Sequence, residues 1–330
     1  MGIKSLTHLV KKHAPESISH KNLSDLSGKR IAIDTSLLLY KCLTNGYSEY
    51  AHITGILYKI LIYLSHGITP IFIFDGKPPD EKGSVLKTRR DKCKIAKQKI
   101  QKIEESGNIP TEKEKIELES CKKQSIRITY KHIRDVKYLL KLLGITYLHI
   151  EGEAEAIASE LCRMCYVDYV VSEDMDSLTF GCPHLIRNLM DKKKTDKTIS
   201  IIDLDMLMSN LEITYEQFVE MCIMCGCDYC ENIPKIGCIT AYNMIKKYEN
   251  IESFLKQNTK YSVPENYFGK CMKAKSLFLM YHNKLDVNIL PFHTSELDMV
   301  KLKSFLQEEN KMSDEKVSNV IKRIETINKN

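Results

Sequence analysis

RIAID (Arg30–Asp34) and PIFIFD (Pro70–Asp75) are short runs of branched and aromatic residues, each close to turn residues and each ending on an aspartate. Runs of this length and composition predict buried β-strands. Between them, Glu49–His66 places apolar residues at helical spacing and is closed by Gly67, so the unit reads strand–helix–strand. The alternation continues outward. ITYLHI (Ile145–Ile150) and DYVVS (Asp168–Ser172) predict two more strands, with helices over Tyr130–Leu143, stopped by Gly144, and over Glu153–Tyr166. LIRNLM (Leu185–Met190) and TISIID (Thr198–Asp203) predict a strand pair around the polar turn Asp191–Lys197. Beyond Asp203 the pattern is mostly helical, including the polar tail from Ser304. Strands alternating with helices imply an α/β fold, with a largely parallel sheet flanked by helices on both faces. Two further helical patterns, Val85–Ser106 and Glu112–Lys123, are separated by the breaker Gly107–Pro110. They make Val85–Lys141 a helical insertion between two strands of the sheet.

With 330 residues, 43% hydrophobic and 28% charged, the chain can bury a sizeable core and is too apolar to be mainly disordered. No stretch approaches the ~20 apolar residues of a membrane helix; the longest, Ile53–Leu64, contains Lys59. The start, MGIKSLTHLVKKHAP, lacks the apolar run and cleavage site of a secretory signal, and Leu6 stands where a myristoylation motif requires Ser or Thr. The twelve cysteines are therefore expected as free thiols in a reducing compartment. The net charge of +6 is unevenly spread. Residues 77–141 hold 19 Lys/Arg against 10 Asp/Glu, while the rest of the chain holds 30 against 33. Within Lys82–Lys102 there are nine basic residues and a single acid, Asp91. A solvated helix face normally mixes signs, so a one-signed run points to an anionic polymer as partner.

The acids fall where such a polymer would be worked on. Ligands of open α/β sheets bind beyond the carboxyl ends of the strands. Asp34 and Asp75 end predicted strands, Asp174 and Asp176 follow DYVVS, and Glu153 and Glu155 open a helix after ITYLHI. A seventh acid, Asp228, interrupts the apolar run CIMCGCDYC (Cys222–Cys230). Any one of these has an ordinary explanation as a helix cap or a partner of the helix dipole. As a set, crowded carboxylates repel and raise one another's pKa unless cations sit among them. Hard divalent ions take oxygen ligands, and a pair ~4 Å apart clamps the attacking and leaving oxygens of a phosphodiester. The set beside a one-signed basic helix predicts metal-dependent phosphodiester cleavage.

Six segments carry a resemblance: MGIKSL (Met1–Leu6), IAIDTS (Ile31–Ser36) with Tyr40 after it, FIFDGKPP (Phe72–Pro79), EGEAEA (Glu151–Ala156), SEDMDSLTFG (Ser172–Gly181) and GCDYCENIPKIG (Gly226–Gly237). In order and near spacing, from Met1 to about residue 325, the sequence resembles the flap endonuclease family of structure-specific 5′ nucleases. The resemblance implies a PIN-like 5′-nuclease fold in a single domain, 1–330. That domain divides into an N-terminal nuclease region (1–105), a gateway and cap insertion (85–141), an internal region (123–255) with a helix–two-turn–helix at about 226–248, and a helical C-terminal region (256–330). It places the family's metal-binding acids on Asp34, Asp75, Glu153, Glu155, Asp174, Asp176 and Asp228. The first four attend one Mg2+ and the last three a second, with some shared and with Mn2+ as a substitute. Lys82 and Arg89 match positions at the scissile phosphate, where a cation stabilises transition-state charge. Tyr40 matches an aromatic ring that stacks on a base, and Gly2 a site where a side chain would obstruct DNA. Lys131, Lys235 and Gly237 are the remaining implied DNA contacts. The helix–two-turn–helix implies a grip on duplex phosphates and a bound K+; here Lys235 stands in the place of the turn's first glycine and no lysine follows the turn.

The activity so implied is cleavage of 5′ flaps at the junction with duplex DNA, with 5′-3′ exonuclease action, in DNA replication and repair. The rival readings are the exonuclease or junction-resolving branch of the same superfamily, a non-catalytic scaffold for branched DNA, and an RNA-directed nuclease. Branched DNA is the expected partner and no membrane is. No sliding-clamp motif of spaced apolar and paired aromatic residues is visible before Asn330. The expected location is the nucleus in a cellular eukaryote and the cytoplasm for a virus. A competing chemistry lies in the C-x-x-C pairs Cys162/Cys165, Cys222/Cys225 and Cys227/Cys230, a spacing used for zinc or iron–sulfur ligation. Met and Ile between them favour a buried helix face instead.

Overall fold

The computed structural model describes residues 2–46, 48–105, 111–189, 198–282 and 284–329. The breaker Gly107–Pro110 and the turn Asp191–Lys197 lie outside the described residues. Eight strands form one sheet: β1 (Ile18–Asn22), β2 (Arg30–Asp34), β3 (Thr69–Phe74), β4 (Tyr147–His149), β5 (Tyr169–Val171), β6 (His184–Arg187), β7 (Thr198–Asp203) and β8 (Phe292–His293), in the order β1-β7-β6-β5-β2-β3-β4-β8. The centre, β6-β5-β2-β3-β4, is parallel. Both flanks are antiparallel: β7 against β6 and β1, and β8 against β4. The sheet is therefore mixed, parallel where the acids are and antiparallel at its edges. Neither β1 nor β8 was expected from the sequence. ISHKN in β1 is exposed beyond Ile18, and β8 is two residues long, so neither has an apolar pattern to read.

Strand alternation divides the core. Ala32, Ile71, Ile73, Leu148, Val170 and Leu185 face one set of helices, while Ile31, Ile33, Phe72, Phe74, Val171 and Ile186 face the other. Side chains point alternately to opposite faces, so a strand covered on both sides needs a continuous apolar run. RIAID and PIFIFD have that run. From β2 the chain builds outward through β3 and β4 in one direction and through β5 and β6 in the other. The reversal makes the carboxyl edge at β2 and β5 a topological switch point, where a crevice opens.

The basic insertion separates into two parts. Gly83–Glu105 and Glu112–Ser125 pack on each other as a helical arch whose buried residues are Cys93, Ala96 and Cys121. The capping box of Thr111 and Glu114 starts its second helix, and Lys99 reaches Glu117 at 2.6 Å. The next helix, Tyr130–Leu142, is not part of the arch. It begins on a Thr129–His132 capping box and buries Val136, Leu139, Leu140 and Leu142 in the core. Farther along, Tyr215–Cys225 and Cys238–Tyr248 are joined by a loop over 226–237. Of the span 226–248 expected for the helix–two-turn–helix, the structure has the loop and the second helix, and another helix ends directly ahead of it at Cys225. No described helix is long and apolar enough to cross a membrane.

Candidate active site

Each strand end delivers its acid to the switch-point edge. Asp34 ends β2 and caps the next helix, its Oδ1 accepting from the Leu37 N–H at 3.1 Å. Asp75 follows β3, and its Oδ1 accepts from the Ala154 N–H at 2.9 Å, which joins the β3 and β4 ends. Glu153 and Glu155 lie at the start of Ala154–Arg163, and Asp174 and Asp176 beyond β5. Carboxylate oxygens of Glu155, Asp174 and Asp176 lie within 4.8 Å of one another. Ser172, fully buried, donates to Glu155 at 3.1 Å and accepts from the Asp174 N–H at 3.1 Å, so one hydroxyl aligns two of the three. Asp228 arrives from the 226–237 loop. All seven acids except Asp228 belong to strand-end segments, and all but one are brought to that edge by the parallel topology alone. Glu155 joins Asp174 and Asp176 across the division of ligands inferred from the sequence.

The N-terminus closes one side. Ile3 N–H donates to Asp176 Oδ1 at 2.7 Å, and Gly2 lies in the left-handed region at φ 78°. A Cβ on Gly2 would fall 1.8 Å from Asp174 Oδ1 and 2.4 Å from Asp176 Oδ1. Only glycine fits both the backbone angle and the space.

Three of the acids carry the strain of crowding. Burial, then the charge of Asp75, pushes Asp34 up to about 7. Burial followed by Asp174 and Asp34 raises Glu155 well above the ordinary range, and burial followed by Asp174 and Asp228 does so for Asp176. The cations that reach the site are at its other end. Lys82 Nζ contacts Glu153 Oε1 at 2.6 Å and Asp228 Oδ2 at 3.2 Å, and Arg89 Nη2 contacts Asp228 Oδ2 at 2.8 Å. Burial works against the Lys82 charge, but Glu153 and Asp228 outweigh it and raise its pKa. Among the described residues Asp34, Glu155 and Asp176 form no ion pair, and the Lys82 charge offsets only a minor part of the crowding at Glu155 and Asp176, so divalent cations with oxygen ligands suit the donor set these residues present.

Above the acids the arch helix Gly83–Glu105 divides two cavities. One, of about 890 Å3, holds Asp34, Asp75, Glu153, Glu155, Asp174, Asp176 and Asp228 below and Lys82, Arg89, Arg90, Lys92 and Arg127 above. The other, of about 1270 Å3, opens beyond the helix past Gly2, Lys4, Lys270 and Lys273. Tyr40, Arg89 and Lys92 line both. Tyr40 is half-buried and its hydroxyl donates to the Lys123 carbonyl at 3.3 Å, so its ring bridges core and arch. Arg127, which the sequence reading did not single out, ties the arch down through Cys93 Sγ (3.1 Å) and the Arg90 carbonyl (3.1 Å). Among the nine basic residues of Lys82–Lys102 nothing in the spacing marks Lys82 or Arg89, and Arg127 lies beyond that run; their placement comes from the fold.

The remaining candidates lie elsewhere. Lys131 is exposed, 3.4 Å from Glu49, and lines neither cavity. Lys235 adopts φ 70°, the left-handed region a glycine would enter freely, and Gly237 caps Cys238–Tyr248 with open space around it. The side chain of Lys235 costs about 1–2 kcal/mol there relative to an unstrained residue. The cysteines pair across elements rather than within their C-x-x-C spacings. All twelve are free thiols: Cys162 hydrogen-bonds Cys182, Cys225 hydrogen-bonds Cys238, and Cys230 Sγ lies 3.8 Å from Cys271 Sγ. Burial raises Cys222 well above the ordinary thiol range, which suits core packing more than ligation.

The sheet order, the arch and the acidic edge together define a PIN-like 5′ nuclease. Residues 1–96 match the XPG N-terminal domain and residues 144–228 the XPG I-region. Flap endonuclease 1-A of Sorghum bicolor is 35% identical over 99% of this chain and 87% of its own length. Among solved structures, the chain is similar to flap endonuclease-1 from Methanococcus jannaschii, with 27% identity, a TM-score of 0.69, and 95% and 97% of the two chains covered. It is also similar in fold to the catalytic core of Rad2 in complex with DNA substrate, with 21% identity, a TM-score of 0.71, and 98% and 100% covered. The chain belongs to the flap endonuclease family.

Proposed function

We propose that this protein is a divalent-metal-dependent endonuclease that cuts 5′ flaps at the junction of single strand and duplex, and trims 5′ ends. The observation that carries this reading is the placement of seven carboxylates at one sheet edge directly under a basic arch. Asp34, Asp75, Glu153, Glu155, Asp174, Asp176 and Asp228 would hold two Mg2+ or Mn2+ ions. Bound there, the ions supply Lewis acidity toward the phosphate and a water acidic enough to attack at neutral pH. The chain's own residues do the rest. Lys82 and Arg89, within reach of Glu153 and Asp228, stabilise charge on the scissile phosphate. Tyr40 offers a ring at the junction of the two cavities, where base stacking contributes roughly 1–3 kcal/mol. Gly2 leaves the space in front of Asp174 open.

The two cavities on either side of the arch helix suit a single strand on one side and the cleaved junction on the other. Duplex phosphates would meet the N-terminus of Cys238–Tyr248 and its preceding loop, with K+ at the loop carbonyls. Replication and repair DNA is the proposed substrate, and the proposed location that goes with it is the nucleus in a cellular eukaryote or the cytoplasm for a virus. A sliding clamp remains a partner to be measured directly by binding.

The test is a panel of 5′-flap, nicked, gapped, bubble and four-way-junction DNAs with Mg2+, with Mn2+ and with chelator. The proposal expects the flap to be cut fastest, leaving a 5′ phosphate and a 3′ hydroxyl, and no cutting without metal. Equal rates on all substrates, or cutting in chelator, would sink it. An RNA flap cut faster than DNA would move the substrate to the other nucleic acid.

A further inference from the structure

Tyr229 follows Asp228 directly, and neither the charge pattern nor the acid set uses it. Its ring packs edge-on against Phe278, with centroids 5.1 Å apart at 70°. Its hydroxyl donates a hydrogen bond to Glu153 Oε2. The other oxygen of Glu153, Oε1, is held by Lys82 Nζ at 2.6 Å, and that ammonium lies 6.0 Å from the centre of the Tyr229 ring.

Glu153 occupies the N-cap position of Ala154–Arg163, yet its side chain makes no capping bond to that helix. A side-chain oxygen at the N-cap ordinarily accepts from the free N–H groups of the first turn. Here both carboxylate oxygens are drawn outward, one by Tyr229 and one by Lys82. Lys82 in turn needs two acceptors, Glu153 and Asp228 at 3.2 Å. Asp228 and Tyr229 are adjacent in the 226–237 loop, so one peptide unit sets both the second acceptor of Lys82 and the group that orients the first. That loop joins Tyr215–Cys225 to Cys238–Tyr248.

We propose that Tyr229 is a positioning residue: its hydroxyl keeps Glu153 from turning back to cap its own helix and so fixes Lys82 between Glu153 and Asp228, tying the helix–two-turn–helix loop to the catalytic centre. Tyr229 touches no substrate and acts through Glu153. This rests on the reading that Lys82 and Glu153 belong to that centre.

Tyr229→Phe removes the hydroxyl and keeps the ring on Phe278. Loss of a group that orients an active-site carboxylate typically costs 10–100-fold. The expected result on a 5′ flap in Mg2+ is a kcat about 10-fold lower, with KM within about twofold. In a Lys82→Ala background the same substitution should cost less than twofold more, because the residue it acts through is gone. A third readout needs neither metal nor DNA. Limited acetic anhydride labelling, read by mass spectrometry of the Lys82 peptide, should acylate Lys82 several-fold faster in Tyr229→Phe than in the wild type, because one of its two ion pairs is loosened. An unchanged kcat, an undiminished loss on top of Lys82→Ala, or an unchanged labelling rate would each overturn the inference. So would a melting temperature lowered by more than a few degrees with kcat and KM moving together. Failure of the underlying reading looks different. Lys82→Ala and Glu153→Gln cutting at wild-type rate would remove the catalytic centre itself, whereas a crippled Lys82→Ala beside an unaffected Tyr229→Phe removes the Tyr229 inference alone.

Discussion

The two walls of the cleft are built in opposite ways. The acidic wall is held by the core: Asp34 is 5% exposed, Asp176 is equally buried, and their positions follow from strand ends packed on both faces. The basic wall is a pair of helices with three buried residues between them, and its cations hang on long side chains. A buried strand end cannot shift without disturbing the close-packed interior. An exposed helix pair with few apolar contacts opens at low cost. The difference assigns rigidity to the groups that would hold metal and freedom to the groups that meet a polymer of varied shape.

The largest expected effect breaks the rigid wall. Asp174→Asn takes one carboxylate from the cluster, and flap cleavage in Mg2+ should fall by at least ~10^3, on the scale of losing a centrally placed charged group. Metal-free stability should be equal or higher, since a repelling charge has gone. Cleavage at wild-type rate would show that the sheet edge is only scaffolding. Gly2→Ala tests the same wall by bulk. Its methyl group would collide with Asp174 and Asp176, and a displacement of about 1 Å is expected to lower kcat ~10^2-fold while circular dichroism shows an intact fold.

Arg89→Ala probes the basic wall, and about a 10-fold fall in kcat with KM little changed is expected for a group acting on the transition state. A loss confined to KM would reduce Arg89 to a backbone contact. The smallest effect concerns acidity. The Asp34 pKa lies higher in the folded chain, at about 7, than its ordinary 3.8. The folded state therefore binds the proton more tightly, and this contribution to stability is full below pH 4 and is lost as pH rises through 7. In chelator the melting temperature should be a few degrees higher at pH 5.5 than at pH 8, a difference of the size that pKa shifts of a few units allow. Asp34→Asn should flatten that slope, and added Mg2+ should offset it at pH 8. An unchanged slope in Asp34→Asn would place the repulsion elsewhere in the cluster.

Strand and helix periods were legible wherever burial was two-sided or one-sided in a regular way. Arg30–Asp34 agrees with β2 to the residue, and Glu49–His66 differs from Ala51–Ser65 only at its ends. Legibility failed where an element is held by pairing rather than by apolar burial, as in β1 and β8. The insertion's internal division was not legible for a related reason. Tyr130–Leu142 carries basic residues on its exposed face, so its charge resembled that of the arch, while its buried Val136, Leu139 and Leu140 belong to the core. The acids were visible because parallel topology forces strand ends to one edge. Tyr229 and Ser172 were not, since a lone hydroxyl carries no spacing that separates an orienting role from ordinary packing.

What the sequence determined by itself is the set of elements and the side of the sheet on which the acids lie. Apolar period and chain direction are local properties, and right-handed parallel connections leave little choice once they are known. The tertiary structure alone decided which cations reach which acids, that Glu155 joins Asp174 and Asp176 as a close trio, and that Glu153 is pulled from its helix by Tyr229 and Lys82. Those contacts join residues more than 70 positions apart in the cases of Lys82 and Tyr229 with Glu153, and their energies depend on ångström distances and on burial that no local pattern encodes.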